Sequence, residues 1–400
     1  MRRVNRREFL ALTGVAPLGL ALSKSQPGQV ARRSNPDECV DPWIELNTIN
    51  LAWNLAQVRK RIGVHPVIMA VIKCNAYGHG LVEIAGSLKK EGIHHLAVVK
   101  VQEAVFLREN GIKGMILNFG PFSRQEAEEL VRFNISQSVY SESVDELAEA
   151  ARRLDKKARV HIKVDTGLGR VGIPYYQALP YVEKVASLKE VAIEGVFTTL
   201  TEEENFDRVQ IDRLLQICKE ANASGISLGL RHAASSAAIS EFPAAALDMV
   251  RPGNSLYGIE TLPHMDLKPV MSLKTRVIYV KKIRPEDTVG YHRRYRAERE
   301  ILLATLPIGY SDGYSAQLVD KAQVLIQGKR WPVIGYISAN HSLVDITGSA
   351  GIKIGDEAVL FGFQNGQEIK LQEVADWADS SVYRIAIGMN PFLPRILVDR

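Results

Sequence analysis

Between residues 67 and 251, short apolar runs alternate with stretches in which apolar positions recur every three or four residues. Strands are predicted at 67–73, 95–101, 114–119, 136–141, 158–165, 192–200, 230–235 and 248–251, each but the last followed by a helical pattern. Eight strands alternating with helices predict the α/β class and a (β/α)8 TIM-like barrel. No GxGxxG follows the first of these strands, which weighs against an open doubly wound sheet. Upstream, Trp43 to Asn47 reads as a short strand, and residues 48–62 have helical spacing through Leu51, Leu55 and Val58. From about Val270 the pattern changes to short strands between turn clusters, at 272–280, 300–306, 322–326, 331–337, 343–347, 358–361 and 394–398. A mainly β C-terminal domain follows from that. The expected division is a signal and linker at 1–40, a barrel at 41–272 and the β domain at 273–400.

Composition narrows the classes. The chain has 400 residues, 46% apolar and 24% charged, as an ordinary globular protein does. Its formal charge is +5, but seven basic residues against one acidic put +6 on residues 1–34 and leave −1 for the rest. A nucleic-acid partner therefore has no electrostatic basis. Three cysteines without CxxC spacing argue against a disulfide framework and against a zinc site. No apolar run reaches the ~18 residues of a membrane span, so stable membrane insertion is not expected. Asn5-Arg6-Arg7-Glu8-Phe9-Leu10, followed by the apolar stretch Ala11 to Leu22, resembles a twin-arginine signal. Export, to a periplasm for example, is the expectation; without such a signal the protein would be cytoplasmic.

Barrel chemistry sits where strands end. The first barrel strand delivers Lys73 to a turn that also holds Tyr77, and a buried lysine is suited to Schiff-base chemistry. From this segment alone, a lysine snorkelling out of the strand end reads equally well. The fifth strand ends in Lys163-Val164-Asp165-Thr166-Gly167-Leu168-Gly169-Arg170. Loops after the seventh and eighth strands offer Ser236, Gly253 and Asn254, a hydroxyl and close-approaching backbone of the kind that binds phosphate in barrels. A lysine across the mouth from such loops is the layout for pyridoxal 5'-phosphate. The β domain contributes two tyrosine clusters in glycine loops, around Tyr291 and Tyr310.

These residues match a family. The segment Val71-Ile72-Lys73-Cys74-Asn75-Ala76-Tyr77-Gly78-His79-Gly80, the 164–172 loop, Met249-Val250-Arg251-Pro252-Gly253 and Ile308-Gly309-Tyr310-Ser311-Asp312-Gly313 occur in the order found in alanine racemases. From about Asp41 onward the chain resembles these fold-type III pyridoxal-phosphate enzymes. The resemblance implies a homodimeric isomerase that interconverts L- and D-alanine or a broader set of amino acids, with shared active sites. It implies that Lys73 holds the cofactor and is one catalytic base, and that Tyr291, from the other subunit, is the second. It assigns Arg170 to the cofactor phenolate and the substrate carboxylate, and Arg251 to the pyridine nitrogen. Tyr77, Ser236, Gly253 and Asn254 match the phosphate site, and Tyr310 and Ala339 the substrate side. Lys163 matches a lysine that is carbamylated in some members. No metal is implied.

The chain also departs from the pattern. Thr199 stands where a histidine is usual, Ser235 where asparagine is usual, and Ala339-Asn340 where a Met-Asp pair is usual. His292-Arg293-Arg294 is bulkier than the common residues after the catalytic tyrosine, and Asn390-Pro391-Phe392-Leu393-Pro394-Arg395 lacks a phosphate-contacting tyrosine. Two other readings follow from these changes: a decarboxylase on the same fold, and a non-catalytic cofactor-binding module. A decarboxylase has no use for groups that anchor the α-carboxylate, so Arg170 and Tyr310 weigh against the first.

Overall fold

The computed structural model describes residues 41–399. The twin-arginine-like segment and linker at 1–40 lie outside the described residues.

The strand β1, Trp43–Asn47, leads into the helix α1, Thr48–Ile62, whose start is capped by the Asn47 side chain accepting from Asn50 N. The barrel follows as β2 (Val67–Val71), β3 (His95–Val98), β4 (Ile116–Asn118), β5 (Ser136–Val139), β6 (Ala158–Asp165), β7 (Val191–Phe197), β8 (Leu230–His232) and β9 (Met249–Val250). Each pairs in parallel with the next, and β9 returns to β2 through Met249 opposite Val67, so the eight-stranded ring closes. Seven of the eight fall inside the strands expected from the apolar pattern, and β7 begins one residue before its expected start. Helices between the strands bury one face each. Arg124–Arg132, with a Ser123–Glu126 capping box and buried Ala127, Leu130 and Val131, shows how sequence sets both start and orientation.

Lys73 does not stand on the strand. The strand ends at Val71, and residues 73–77 wind one left-handed turn, with φ/ψ of 56/51 at Cys74, 54/47 at Asn75 and 53/50 at Ala76, and φ of 53 at Tyr77. Left-handed helix costs L-residues roughly 1–2 kcal/mol each, so these four residues hold about 4–8 kcal/mol of strain. Surrounding bonds fix the turn. Ala76 N donates to Ile72 O at 2.8 Å, Asn75 N to Glu103 Oε1 at 2.9 Å, and Leu81 N to Asn75 Oδ1 at 2.9 Å. Tyr77 is buried against Tyr257, ring centroids 5.1 Å apart, and the Tyr257 hydroxyl donates to Val71 O.

The C-terminal part is a twisted β sheet. The strands β10 (Met271–Arg276), β11 (Tyr279–Ile283), β12 (Ile301–Leu306), β13 (Gln323–Ile326), β14 (Lys329–Ile337), β15 (Ser342–Asp345), β16 (Glu357–Gln364) and β17 (Arg395–Val398) lie in the order β11-β12-β15-β14-β13-β16-β10-β1-β17. The single strand expected at 272–280 is two strands, because the chain turns between Arg276 and Tyr279 to pair first with β16 and then with β12. β1 is also a correction to the expected 41–272 grouping. It pairs antiparallel with β10 and parallel with β17, and so belongs to this sheet. Lys274 on β10 and Glu45 on β1 join across that seam at 3.0 Å, both almost fully buried. Two short helices, Leu371–Trp377 and Val382–Ile387, bring the C-terminal residues back onto the barrel mouth.

Gly78 is where the two parts meet. Its φ is +84, and a Cβ there would lie 1.8 Å from Ala386 O. Replacing it with alanine should cost roughly 2–5 kcal/mol from backbone strain plus overpacking. By contrast Gly86, helical and with nothing within 4 Å of a built Cβ, should gain about 0.5–1 kcal/mol as Gly86→Ala. Urea unfolding of the two variants checks this, and equal midpoints would show that the contact at Gly78 is slack.

Candidate active site

At the mouth of the barrel the ends of β2, β6, β7, β8 and β9 bring most of the expected residues together. Lys73, half-buried, opens the left-handed turn with its Nζ 5.8 Å from the Tyr77 ring centroid. Ser236 lies buried at the first turn after β8. Its Oγ accepts from Gly253 N at 2.9 Å and Ser255 N at 3.3 Å, and lies 2.9 Å from Ser255 Oγ. Gly253 has no room for a side chain, since a Cβ would sit 2.6 Å from the Tyr77 hydroxyl. Small polar groups thus converge beside a phenol, with the Gly253 backbone packed directly against it. Asn254 is at the same place, but its amide is committed to Glu260 Oε2 and the Tyr383 hydroxyl, both at 2.7 Å. What Asn254 can offer a phosphate is its backbone, the part of it that the sequence reading pointed to.

Arg251, at the end of β9, is 6% exposed. Its Nη2 donates to Thr198 O at 2.8 Å and Ala233 O at 2.9 Å, and its Nη1 to His232 Nδ1 at 2.9 Å. Those bonds use three of five N–H groups, which leaves donors for a further acceptor. Burial lowers its pKa to about 9, so the guanidinium remains charged at neutral pH. His232 stacks on Phe197, centroids 4.7 Å apart and planes 6° apart, and its Nε2 is 2.9 Å from His161 Nδ1.

Lys163, buried on β6, has its Nζ 5.5 Å from the Phe197 centroid. Burial first, then the charges of Arg251 and Arg170, lower its pKa to about 8, against a raising effect of Asp165. Arg170 itself is exposed on the loop after β6. That loop is shaped by Asp165, whose Oδ1 accepts from Gly167 N and Gly169 N at 3.0 and 3.1 Å. Thr199, half-buried, offers its carbonyl to Gln210 Nε2. Arg251 thus bonds the backbone carbonyl of Thr198, the residue before the position where a histidine is usual.

The β-domain residues form a separate group. Tyr310 N donates to Ser338 O, and Ala339 O accepts from Ser311 N at 3.0 Å and Ser311 Oγ at 2.7 Å, so Tyr310 and Ala339 stand on clasped loops. Asn340 Nδ2 donates to Ser311 Oγ, and Asn390 Nδ2 to Ser311 O. Tyr291 lies on another loop, edge-on to Tyr336 at 5.0 Å, with His292 and Arg293 at φ of 58 and 54. Tyr291 is 66% and Tyr310 54% exposed. The ring that Tyr291 meets, Tyr336, belongs to the β domain as well. One protomer therefore assembles Lys73, Tyr77, Lys163, Ser236, Arg251, Gly253 and Asn254, and leaves Tyr291 at its surface.

Sequence reading missed His161, Phe197, Tyr383 and Glu260. The first could have been found, since His161 and Lys163 alternate along a strand and so face the same side. Tyr383 and Glu260 meet through folding that brings positions 123 residues apart together, and no local pattern marks them.

The arrangement suits pyridoxal 5'-phosphate: an amine, a buried cation with spare donors, and a polar pocket lined by a glycine that tolerates no side chain. Residues 46–261 match the alanine racemase N-terminal domain and residues 270–397 the alanine racemase C-terminal domain. The alanine racemase of Carboxydothermus hydrogenoformans is 38% identical over 371 residues, covering 89% of this chain and 99% of that protein. A solved alanine racemase of Clostridium difficile superposes with a TM-score of 0.84 at 31% identity, over 90% of this chain and 96% of that one. A histidine racemase of Leuconostoc mesenteroides gives a TM-score of 0.81 at 26% identity, over 91% and 100%. With both domains matched in order and a relative of this identity covering nearly its whole length, the chain belongs to the alanine racemase family of pyridoxal-phosphate-dependent isomerases.

Proposed function

We propose that this protein interconverts L- and D-alanine by two-base proton transfer, with Lys73 Nζ on one face of the substrate and the Tyr291 hydroxyl of a second subunit on the other. The observation that carries this is the separation of the two bases: Lys73 sits inside the mouth while Tyr291 stands exposed on the β domain of the same protomer. Inversion needs an acid and a base on opposite faces, and a surface tyrosine presented to a second copy supplies the opposite one.

Lys73 would hold the cofactor through its amine, Ser236, Gly253, Tyr77 and the Asn254 backbone its phosphate, and Arg251 its ring nitrogen. When bound, the cofactor's conjugated ring spreads the negative charge left when the α-proton is removed. Arg251 would donate to the ring nitrogen and, remaining charged, would keep a proton off it, which favours simple proton return over transamination. Arg170 and Tyr310 fix the substrate carboxylate, so that the Cα–H bond is presented to the bases. Lys73 Nζ takes the proton from one enantiomer while Tyr291 Oη delivers one to the opposite face, and the roles reverse in the other direction.

Purified protein should abolish the optical rotation of L-alanine. Lys73→Ala should remove that activity, and Tyr291→Phe should lower it by about 10²–10⁴-fold. Mixing the two inactive variants should restore about a quarter of wild-type activity, since half of the random pairs carry one intact site. No recovery on mixing would mean that each subunit is self-sufficient.

Lys163 is proposed to carry a carbamate. Its pKa of about 8 leaves neutral amine available to carbon dioxide above that pH, where an ordinary lysine stays charged. A ¹³C-carbamate resonance should appear with labelled bicarbonate at pH 8–9 and vanish in Lys163→Arg. A resonance that persists in the variant would place the carbamate elsewhere.

No helix among the described residues is long and apolar enough to cross a membrane. Export through the Arg6-Arg7 segment is supported by its sequence pattern, and export in the folded state would let the cofactor be loaded first. An Arg6→Lys/Arg7→Lys variant should stay with the cytoplasmic fraction. Equal secretion of the variant would dispose of the twin-arginine route.

A further inference from the structure

Below Arg251 the barrel interior holds a chain of two histidines with a definite direction. A guanidinium has no acceptor, so Arg251 Nη1 donates to His232 Nδ1, and that nitrogen carries no proton. Full burial first, and then the charge of Arg251, hold the His232 pKa well below the ordinary value and keep the ring neutral. Its single proton is then on Nε2, pointing at His161 Nδ1 2.9 Å away. His161 is also fully buried, and burial with Arg251 lowers its pKa to about 3. Its proton is left on Nε2, a buried atom with no partner among the described residues. Each link is fixed by the one before it.

Packing holds both rings in this arrangement. His232 stacks face to face on Phe197, and His161 meets it edge-on with centroids 5.1 Å apart. Opposite His161 stands Gly195, where a Cβ would lie 2.3 Å from its Nδ1. Strand β7 therefore gives up a side chain to seat the imidazole. A buried polar ring admitted at the expense of a barrel side chain, and left with an unmatched N–H, is costly unless its orientation has a use.

We infer that His161 and His232 form a one-way hydrogen-bond relay that holds Arg251 as a donor aimed at the cofactor ring, which makes His161 a positioning residue for the racemisation. The inference rests on the reading above that Arg251 faces the ring nitrogen. Arg251 sets the His232 tautomer; His161, by accepting from His232 Nε2, holds the ring in the orientation that keeps its unprotonated Nδ1 on one arm of the guanidinium. With its other arm on Thr198 O and Ala233 O, the guanidinium cannot swing away from the mouth. The relay does for the buried side of Arg251 what an outer hydrogen-bond partner does for a metal ligand.

The tautomers can be read without cofactor or turnover, by ¹⁵N NMR of histidine-labelled protein. His232 should show an unprotonated Nδ1 and a protonated Nε2, unchanged from pH 5 to pH 9. In His161→Leu the His232 Nε2–H loses its acceptor, so the Nε2 ¹⁵N and attached-proton shifts should move while Nδ1, still facing Arg251, stays unprotonated. The absorbance band that depends on Lys73 should shift, and kcat should fall about tenfold while KM for alanine changes less than about twofold. His161→Gln keeps an acceptor oxygen and should restore the Nε2 shift, the band and most of kcat. A protonated Nδ1 on wild-type His232 would overturn the relay even if the leucine variant fails to fold. Equal behaviour of the leucine and glutamine variants would overturn the role of His161. If the wild type shows the expected tautomers but no Lys73-dependent band, the cofactor reading fails instead, and the relay's role in catalysis falls with it.

Discussion

The left-handed turn from Lys73 to Tyr77 is the constraint on which the rest of the site depends. A strand that simply ran on would alternate its side chains and carry the lysine past the mouth. Four consecutive residues at positive φ reverse the chain within one turn and keep Lys73 and Tyr77 over the same opening. Such a turn persists only if its surroundings determine it. Glu103 holds Asn75 N from the barrel side, while Arg395 donates to Gly78 O at 2.9 Å and Ala386 O closes on Gly78 from the β domain. The β domain is therefore more than a source of loops, since it wedges the lysine-bearing turn in place.

The electrostatics of the mouth follow from the same crowding. Lys163 feels Arg251, Arg170 and Lys73 as repulsive neighbours and only Asp165 as an attractive one. A pocket with this excess of positive charge is unfavourable when empty of anions, and it gains most from a ligand carrying phosphate and carboxylate groups. The same charges that hold the ligand also lower the pKa of Lys163. Binding and pKa tuning at this site are two results of one clustering.

Much of this was legible in the residues. The apolar beat located all eight barrel strands, and strand ends placed Lys73, Lys163, Ser236 and Arg251 at one rim, because period and position are local properties. The backbone of 73–77 was not legible, since Cys74, Ala76 and Tyr77 have no preference for positive φ and are forced there by partners distant in sequence. Nor was the Tyr383–Glu260–Asn254 cluster, which depends on a helix returning from the C-terminal part. β1 read as an ordinary strand before a barrel. Its true neighbours, β10 and β17, are set by pairing that no local pattern encodes.

The placement of β1 has a consequence for how the molecule is made. Its residues 43–47 are synthesised before the barrel, yet their parallel partner at 395–398 is synthesised only after it. At 5–20 residues per second that interval is roughly 20–70 s, during which one edge of β1 has no mate. The barrel can close in that time, because its eight strands are contiguous in the chain. The sheet that wedges Gly78 cannot. Arg395, which grips the lysine-bearing turn, is also the first residue of the strand that completes the sheet. Completion of the fold and assembly of the lysine turn are thus one event, which follows closure of the barrel.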